Sequence, residues 1–381
     1  MTTGGGGGGE RVMRHRINPF RKRPVAVAPH PPPAAARSFH ASLPGYAPTP
    51  LHRLPGLADR LGVGALRAKD ESHRFGLGAF KGLGASWAVE RLRATGHLAG
   101  TLATATDGNH GRAVAWAARQ LGRRAVIFIP AHSAPARMKA IRSEGAEVVP
   151  VPGTYEDAVR ACAERSASAG WQVVADVGYE GYLEIPTWVV EGYATMFEEI
   201  EEQLAAESAP AADVVMVQGG VGSLAAAAVR HYGIRNGGPA LAVVEPVEAD
   251  CLLESALTSD GSPAPSRGDQ RSLMACLNCG EVSRGAWPVL REGVDVFLSV
   301  TDEYAVRAMR LLAHPAPGDP RVVAGESGAA GLAGLLALVE HEPFREARGA
   351  LGLSRRATVL LLVTEGATDP ETWTRVVGQA P

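Results

Sequence analysis

Six short runs, TLATAT, AVIFI, EVVPV, DVVMVQ, LAVVE and TVLLLV, are apolar almost without interruption, and helical patterns follow or lie between them. A strand with one wet face alternates apolar and polar residues; these runs do not alternate, so both faces of each strand are expected to be covered. Strands buried on both sides and joined through helices form parallel sheets, and the expected fold class is α/β, with helices on both faces of mostly parallel sheets. A chain of 381 residues is too long for one hydrophobic core, so two domains are expected.

The helices have readable ends. AVAWAARQLG stops at Gly122, a second helix runs from Ala134 to about Gly145, and Thr154 stands as cap before EDAVRACAERSAS. QVVAD is a further strand that ends at Asp176, and one long helix is expected from about Thr187 to Ala206. Residues 1–37 differ in character. Six consecutive glycines, the basic run RHRINPFRKR and PHPPPAAA offer little to a core, so a flexible or draped arm is expected, with folded sequence beginning near Phe39.

A net charge of −2 gives no reason to expect nucleic acid or an anionic membrane as partner. No run approaches the ~18 apolar residues of a membrane span, and no secretory signal is evident. Four cysteines in such a length do not make a disulfide scaffold, which fits a cytoplasmic location. Cys276 and Cys279 form a Cys-x-x-Cys without a second pair or a nearby histidine, so no metal is expected. Cys251 and Cys279 bracket the polar segment from Thr258 to Gln270, an arrangement open to a disulfide or to two free thiols.

Chemistry concentrates in a few glycine-bearing loops. In RFGLGAFKGLG, Arg74 to Gly84, Lys81 is the sole amine between Lys69 and Lys139, among small and apolar neighbours. A desolvated lysine loses its proton readily and attacks carbonyl groups, whereas a solvated helix lysine does nothing of the kind. QGGVGS, Gln218 to Ser223, lies between a strand and a helix, where free N–H groups and the helix dipole suit one phosphate; a tight turn without ligand reads equally well. ATDGNHG places Asp107, Asn109 and His110 within five residues at a strand's C-terminal end, where open sheets bind ligands, although Asp and Asn also cap helices. ADVGYEGY, with Asp176, and LVTEGATD, with Thr364, end two further strands.

SHRFGLGAFKGLG resembles the Schiff-base lysine motif of fold type II pyridoxal-phosphate enzymes, the tryptophan synthase β-chain and threonine dehydratase superfamily. ATDGNHG is similar to their Ser-x-Gly-Asn-His loop, with aspartate in place of serine. That replacement, together with KDES, IPTWVVEGYATM, ACLNCGE and VTEG, resembles the diaminopropionate ammonia-lyase family, from about Phe39 to Asp369.

The resemblance implies pyridoxal phosphate bound to Lys81, its phosphate held by Gly219, Gly220, Val221, Gly222 and Ser223, and its phenolic oxygen met by Asn109. Thr364 would face the pyridine nitrogen, although relatives carry a hydroxyl one position earlier, at Val363 here. It implies α,β-elimination of 2,3-diaminopropionate, an amino-acid substrate, with Lys81 and Asp107 as bases on opposite faces and Asp176 beside the β-amino group. A homodimer is implied as well. The implied division is a small domain at 84–188 and a large one from 38–83 joined to 189–381. Two other readings stay open: a serine or threonine dehydratase or β-replacement enzyme on this fold, and a cofactor-binding protein without catalysis.

Overall fold

The structure, a computed structural model, describes residues 11–26, 33–106 and 108–381. Eleven strands occur among them: β1 (Arg14–Ile17), β2 (Leu51–Arg53), β3 (Ala65–Asp70), β4 (Thr101–Ala105), β5 (Arg124–Pro130), β6 (Glu147–Val151), β7 (Gln172–Val173), β8 (Val214–Gln218), β9 (Ala240–Pro246), β10 (Val296–Val300) and β11 (Thr358–Val363). They form two sheets. The larger has the order β1-β10-β9-β8-β11-β3-β2 and the smaller β6-β5-β4-β7. The smaller is wholly parallel, and in the larger only the edge strands β1 and β2 run antiparallel to their neighbours. β8, β10 and β11 are buried along their whole length, in keeping with their largely apolar sequence.

Three features depart from expectation. Strands β1, β2, β3 and β10 were not legible as strands. The arm expected at 1–37 is in part folded, for β1 pairs with β10 from Arg14↔Ser299 to Ile17↔Val296, and a helix spans Pro33–Ala41. Residues 1–10 and 27–32 of that arm lie outside the described residues. Apolar burial holds little of β1. Main-chain pairing does, together with Arg14, whose guanidinium lies 2.5 Å from Asp250 and 2.6 Å from Glu254. Further on, Asn18 Nδ2 donates to the carbonyls of Arg291 and Val294, and Arg23 reaches Asp295.

The single helix expected from Thr187 to Ala206 is two, Glu184–Gly192 and Ala194–Ala206, which meet at Tyr193. Gly192 lies hard against the helix that begins at Lys81: a Cβ there would stand 2.5 Å from the Leu83 carbonyl oxygen. The close crossing and the break coincide.

Beneath the RFGLGAFKGLG segment lies a buried ionic cluster. Arg74 binds Glu71 and Glu199, and Lys69 Nζ donates to Glu199, Gln203 and the Thr49 carbonyl. All four charged side chains are removed from solvent. Two cations and two carboxylates compensate one another there, which is what burial demands. Above the cluster the chain turns through Phe75, Gly76 and Gly78, all at positive φ. Phe75 stacks on Trp116 across 4.7 Å. No helix among the described residues is long and apolar enough to cross a membrane.

Candidate active site

Parallel strands end on one side, and the loops that follow β4, β7, β8 and β11 meet in a cleft of about 720 Å³, its open mouth included. That is the place where α/β sheets bind ligands. Phe80, Lys81, Asn109, His110, Asp176, Gly219, Gly220, Val221, Ser223, Cys276, Thr364 and Glu365 are among the residues that line it. Of the candidate site residues singled out in the sequence that the structure describes, all but Gly222 stand in that lining. Gly222 lies within the same glycine loop, and Asp107 lies outside the described residues.

Lys81 opens the helix Lys81–Ala94. The segment before it is bound to the end of β11: Phe80 N donates to the Thr364 carbonyl at 3.1 Å, and Gly366 N to that of Gly78 at 2.9 Å. Lys81 Nζ donates to Asp176 Oδ2 at 2.5 Å. Burial works against both charges. It pushes the carboxyl of Asp176 up, yet His110 and Lys81 outweigh it and hold that group down at about 2. Burial pushes Lys81 down, and Asp176 more than reverses this, so the amine stays protonated well above its ordinary range.

His110 is buried behind this pair. Its Nε2 lies 2.9 Å from the Val174 carbonyl, and its Nδ1 lies 3.8 Å from Asp176 Oδ2. Burial lowers its proton affinity, against the opposing pull of Asp176. A neutral imidazole that donates from Nε2 presents Nδ1 as an acceptor.

The glycine loop needs its glycines for space. A Cβ on Gly219 would stand 2.4 Å from Glu245 Cγ, and one on Gly222 2.6 Å from Leu290 Cδ1; Gly222 also has φ +93°. A helix starts at Ser223, so the loop's N–H groups converge at a positive dipole end. Ser223 Oγ donates to the Asp176 carbonyl at 2.6 Å, which fastens the loop to the acid. Ser283 strengthens that link, accepting from Gly178 N at Oγ while its own N donates to the Val221 carbonyl.

Asn109 donates to Glu365 and, at 3.4 Å, faces Cys276 Sγ. Thr364 lines the cleft, whereas Val363 packs in the core on the opposite side of the chain. Successive residues of an extended segment face opposite ways, so the hydroxyl available to a ligand here is that of Thr364. Cys251 and Cys279 form no disulfide. Glu365, Cys276, Phe80 and Tyr155 line the cleft without having been singled out as site residues. Glu365 and Cys276 do lie within the motifs VTEG and ACLNCGE; the Cys-x-x-Cys spacing of Cys276 was weighed for a metal alone, and nothing marked Glu365.

Residues 42–365 match the family of pyridoxal-phosphate dependent enzymes, and the two sheets and the cleft are of that class. The chain is similar to diaminopropionate ammonia-lyase of Salmonella typhimurium, with 40% identity over 364 residues covering 89% of this chain and 90% of that protein. It is also similar to a crystal structure of the Escherichia coli diaminopropionate ammonia lyase in complex with an aminoacrylate-PLP azomethine reaction intermediate. That match has a TM-score of 0.87 and 38% identity, and it covers 97% of each chain. A crystal structure of the same E. coli protein in complex with D-serine matches with a TM-score of 0.88 and 37% identity, over 96% of this chain and 97% of that one. The chain belongs to the diaminopropionate ammonia-lyase family of pyridoxal-phosphate-dependent enzymes.

The residues present fit that cofactor. A lysine amine for its aldehyde, a glycine cradle at a helix start for its phosphate, an amide for its phenolic oxygen and a neutral hydroxyl for its ring nitrogen all face one cleft.

Proposed function

We propose that this chain is a carbon–nitrogen lyase that uses pyridoxal phosphate to convert 2,3-diaminopropionate, as the L and the D form, to pyruvate and two molecules of ammonia. The observation that carries this reading is the ionised carboxylate of Asp176 held 2.5 Å from the Lys81 amine beside a glycine cradle. When bound, the cofactor supplies an electron sink for the pair left on the substrate α-carbon.

The chain's own groups do the rest. Lys81 holds the cofactor and, once released, accepts the α-proton on one face of the substrate. Asp107 accepts it on the other. Asp176 binds the β-amino group as ammonium, so that it departs as neutral ammonia without a further proton; hydrolysis of the remaining enamine gives pyruvate and the second ammonia. Gly219, Gly220, Val221, Gly222 and Ser223 hold the phosphate mainly through backbone N–H groups, Asn109 meets the phenolic oxygen and Thr364 the ring nitrogen. A substrate with a second cationic amine favours carboxylates at these positions, whereas a serine substrate needs none. In this reading the smaller sheet belongs to a small domain at 84–188 and the larger, apart from β1, to a large one from 38–83 and 189–381, and the working form is a cytoplasmic homodimer.

The test is pyruvate release from L- and D-diaminopropionate beside L-serine, L-threonine and O-acetylserine. Diaminopropionate is expected to be turned over fastest. A clear preference for serine or threonine discards the reading.

A further inference from the structure

The break at Tyr193 brings a phenol ring against the Lys81 helix. Tyr193 is completely buried. Its ring packs on Phe80 with centroids 4.7 Å apart. Gly84, one helical turn beyond Lys81 and on the same face, makes the room: a Cβ there would stand 2.6 Å from Tyr193 Cε1. The Tyr193 hydroxyl has no partner that meets hydrogen-bond geometry. It nevertheless lies close enough to Lys81 Nζ for each to alter the other. Burial raises the phenol and the lysine lowers it, while the phenol adds to Asp176 in raising the lysine. A buried hydroxyl whose one contact, with Lys81, falls short of good hydrogen-bond geometry gains little stability, and phenylalanine would fill the same space. Packing therefore accounts for the ring and not for its oxygen.

We infer that Tyr193 is a positioning residue for Lys81, its hydroxyl holding the amine in place whenever that amine is not covalently engaged. A phenol both donates and accepts. It can donate to the lone pair of a neutral amine or accept from an ammonium N–H, whereas ionised Asp176 only accepts. The inference rests on the reading proposed above, in which Asp176 turns to the substrate's β-ammonium as Lys81 takes the α-proton. The C–H electron pair stays with the substrate carbon, the proton passes to Nζ, and Tyr193 accepts one of the resulting N–H groups while keeping its own proton.

Tyr193→Phe tests this through three readings. Mixed with cofactor-free protein, pyridoxal phosphate is expected to link to Lys81 about tenfold more slowly, followed by visible absorbance, because a misdirected nucleophile loses rate. On L-diaminopropionate kcat is expected to fall by a similar factor at unchanged KM, with a larger deuterium isotope effect from α-deuterated substrate; the D form is expected to change less. The melting temperature is expected to stay or rise. Wild-type linkage and turnover rates in the variant overturn the inference. So does a lowered melting temperature with equal kcat losses on both enantiomers and normal linkage, which is the mark of a structural role. Should the wild type release no pyruvate from diaminopropionate, the proposed function falls, and the linkage rate still decides whether Tyr193 holds the amine.

Discussion

Lys81 Nζ and Asp176 Oδ2 stand 2.5 Å apart, though the lysine opens the helix that follows the RFGLGAF segment and the acid lies just past β7, a strand of the smaller sheet. The ion pair joins the two halves of the cleft, and each member holds the other charged. Asp176→Asn is expected to retain lysine-linked cofactor absorbance while turnover of both diaminopropionate enantiomers drops by roughly 10²–10⁴-fold, the usual contribution of a positioned acid or base. Wild-type turnover in the variant would remove Asp176 from the reaction.

The pair also sets an acid limit for the cofactor-free protein. The carboxyl of Asp176 moves from 3.8 to about 2 on folding. A depressed carboxyl stabilises the fold fully above its unfolded value, and that contribution disappears as pH falls from 3.8 through about 2. Denaturant titrations across that window should give a steeper loss for the wild type than for Asp176→Asn.

Replacement of Lys81 by alanine is expected to abolish both the visible absorbance of the linked cofactor and turnover, read by spectrum and pyruvate assay. An unchanged spectrum would move the cofactor's anchor elsewhere.

Glu326 behaves in the opposite sense to Asp176. It is buried, and burial together with Glu365 lifts its carboxyl from 4.5 to about 7. The folded chain thus binds a proton that the unfolded chain has released, so stability declines as pH rises between those two values. Glu326→Gln is expected to flatten that decline, as seen in melting temperatures at pH 5 and pH 8, to order of magnitude bracketing the window.

Arg74→Ala would leave Glu71 and Glu199 buried with too little positive charge. The expected cost is about 3–5 kcal/mol of unfolding free energy, with weaker cofactor retention because the lysine segment rests on that cluster. Equilibrium unfolding and dialysis of the loaded protein measure the two effects.

How much of this was legible in the sequence depended on the physics of each element. Runs such as VVMVQ and TVLLLV announced buried parallel strands because nothing else tolerates apolar side chains on both faces. Lys81, Asn109, Asp176 and the glycine loop were picked out by residue type and by motif, and the structure brings them to one cleft. β1 was not, since RHRI is polar and its pairing with β10 depends on acids more than 230 residues away. β10 was missed although VFLSV is apolar. Tyr193 carried no signal at all: a tyrosine within an apolar helical pattern reads as core, and only the break in the helix and the space at Gly84 turn its oxygen toward Lys81.

The pairing of β1 with β10 has a consequence for how the chain is made. Arg14 and Ser299 are 285 positions apart. A ribosome releases the first strand long before its neighbour exists, so the large sheet cannot close from its N-terminal side during synthesis. Until β10 is made, β1 has no strand to pair with, and the nascent chain carries an open main-chain edge of the kind that recruits other chains. The middle of the sheet closes later still, when β11 enters between β8 and β3.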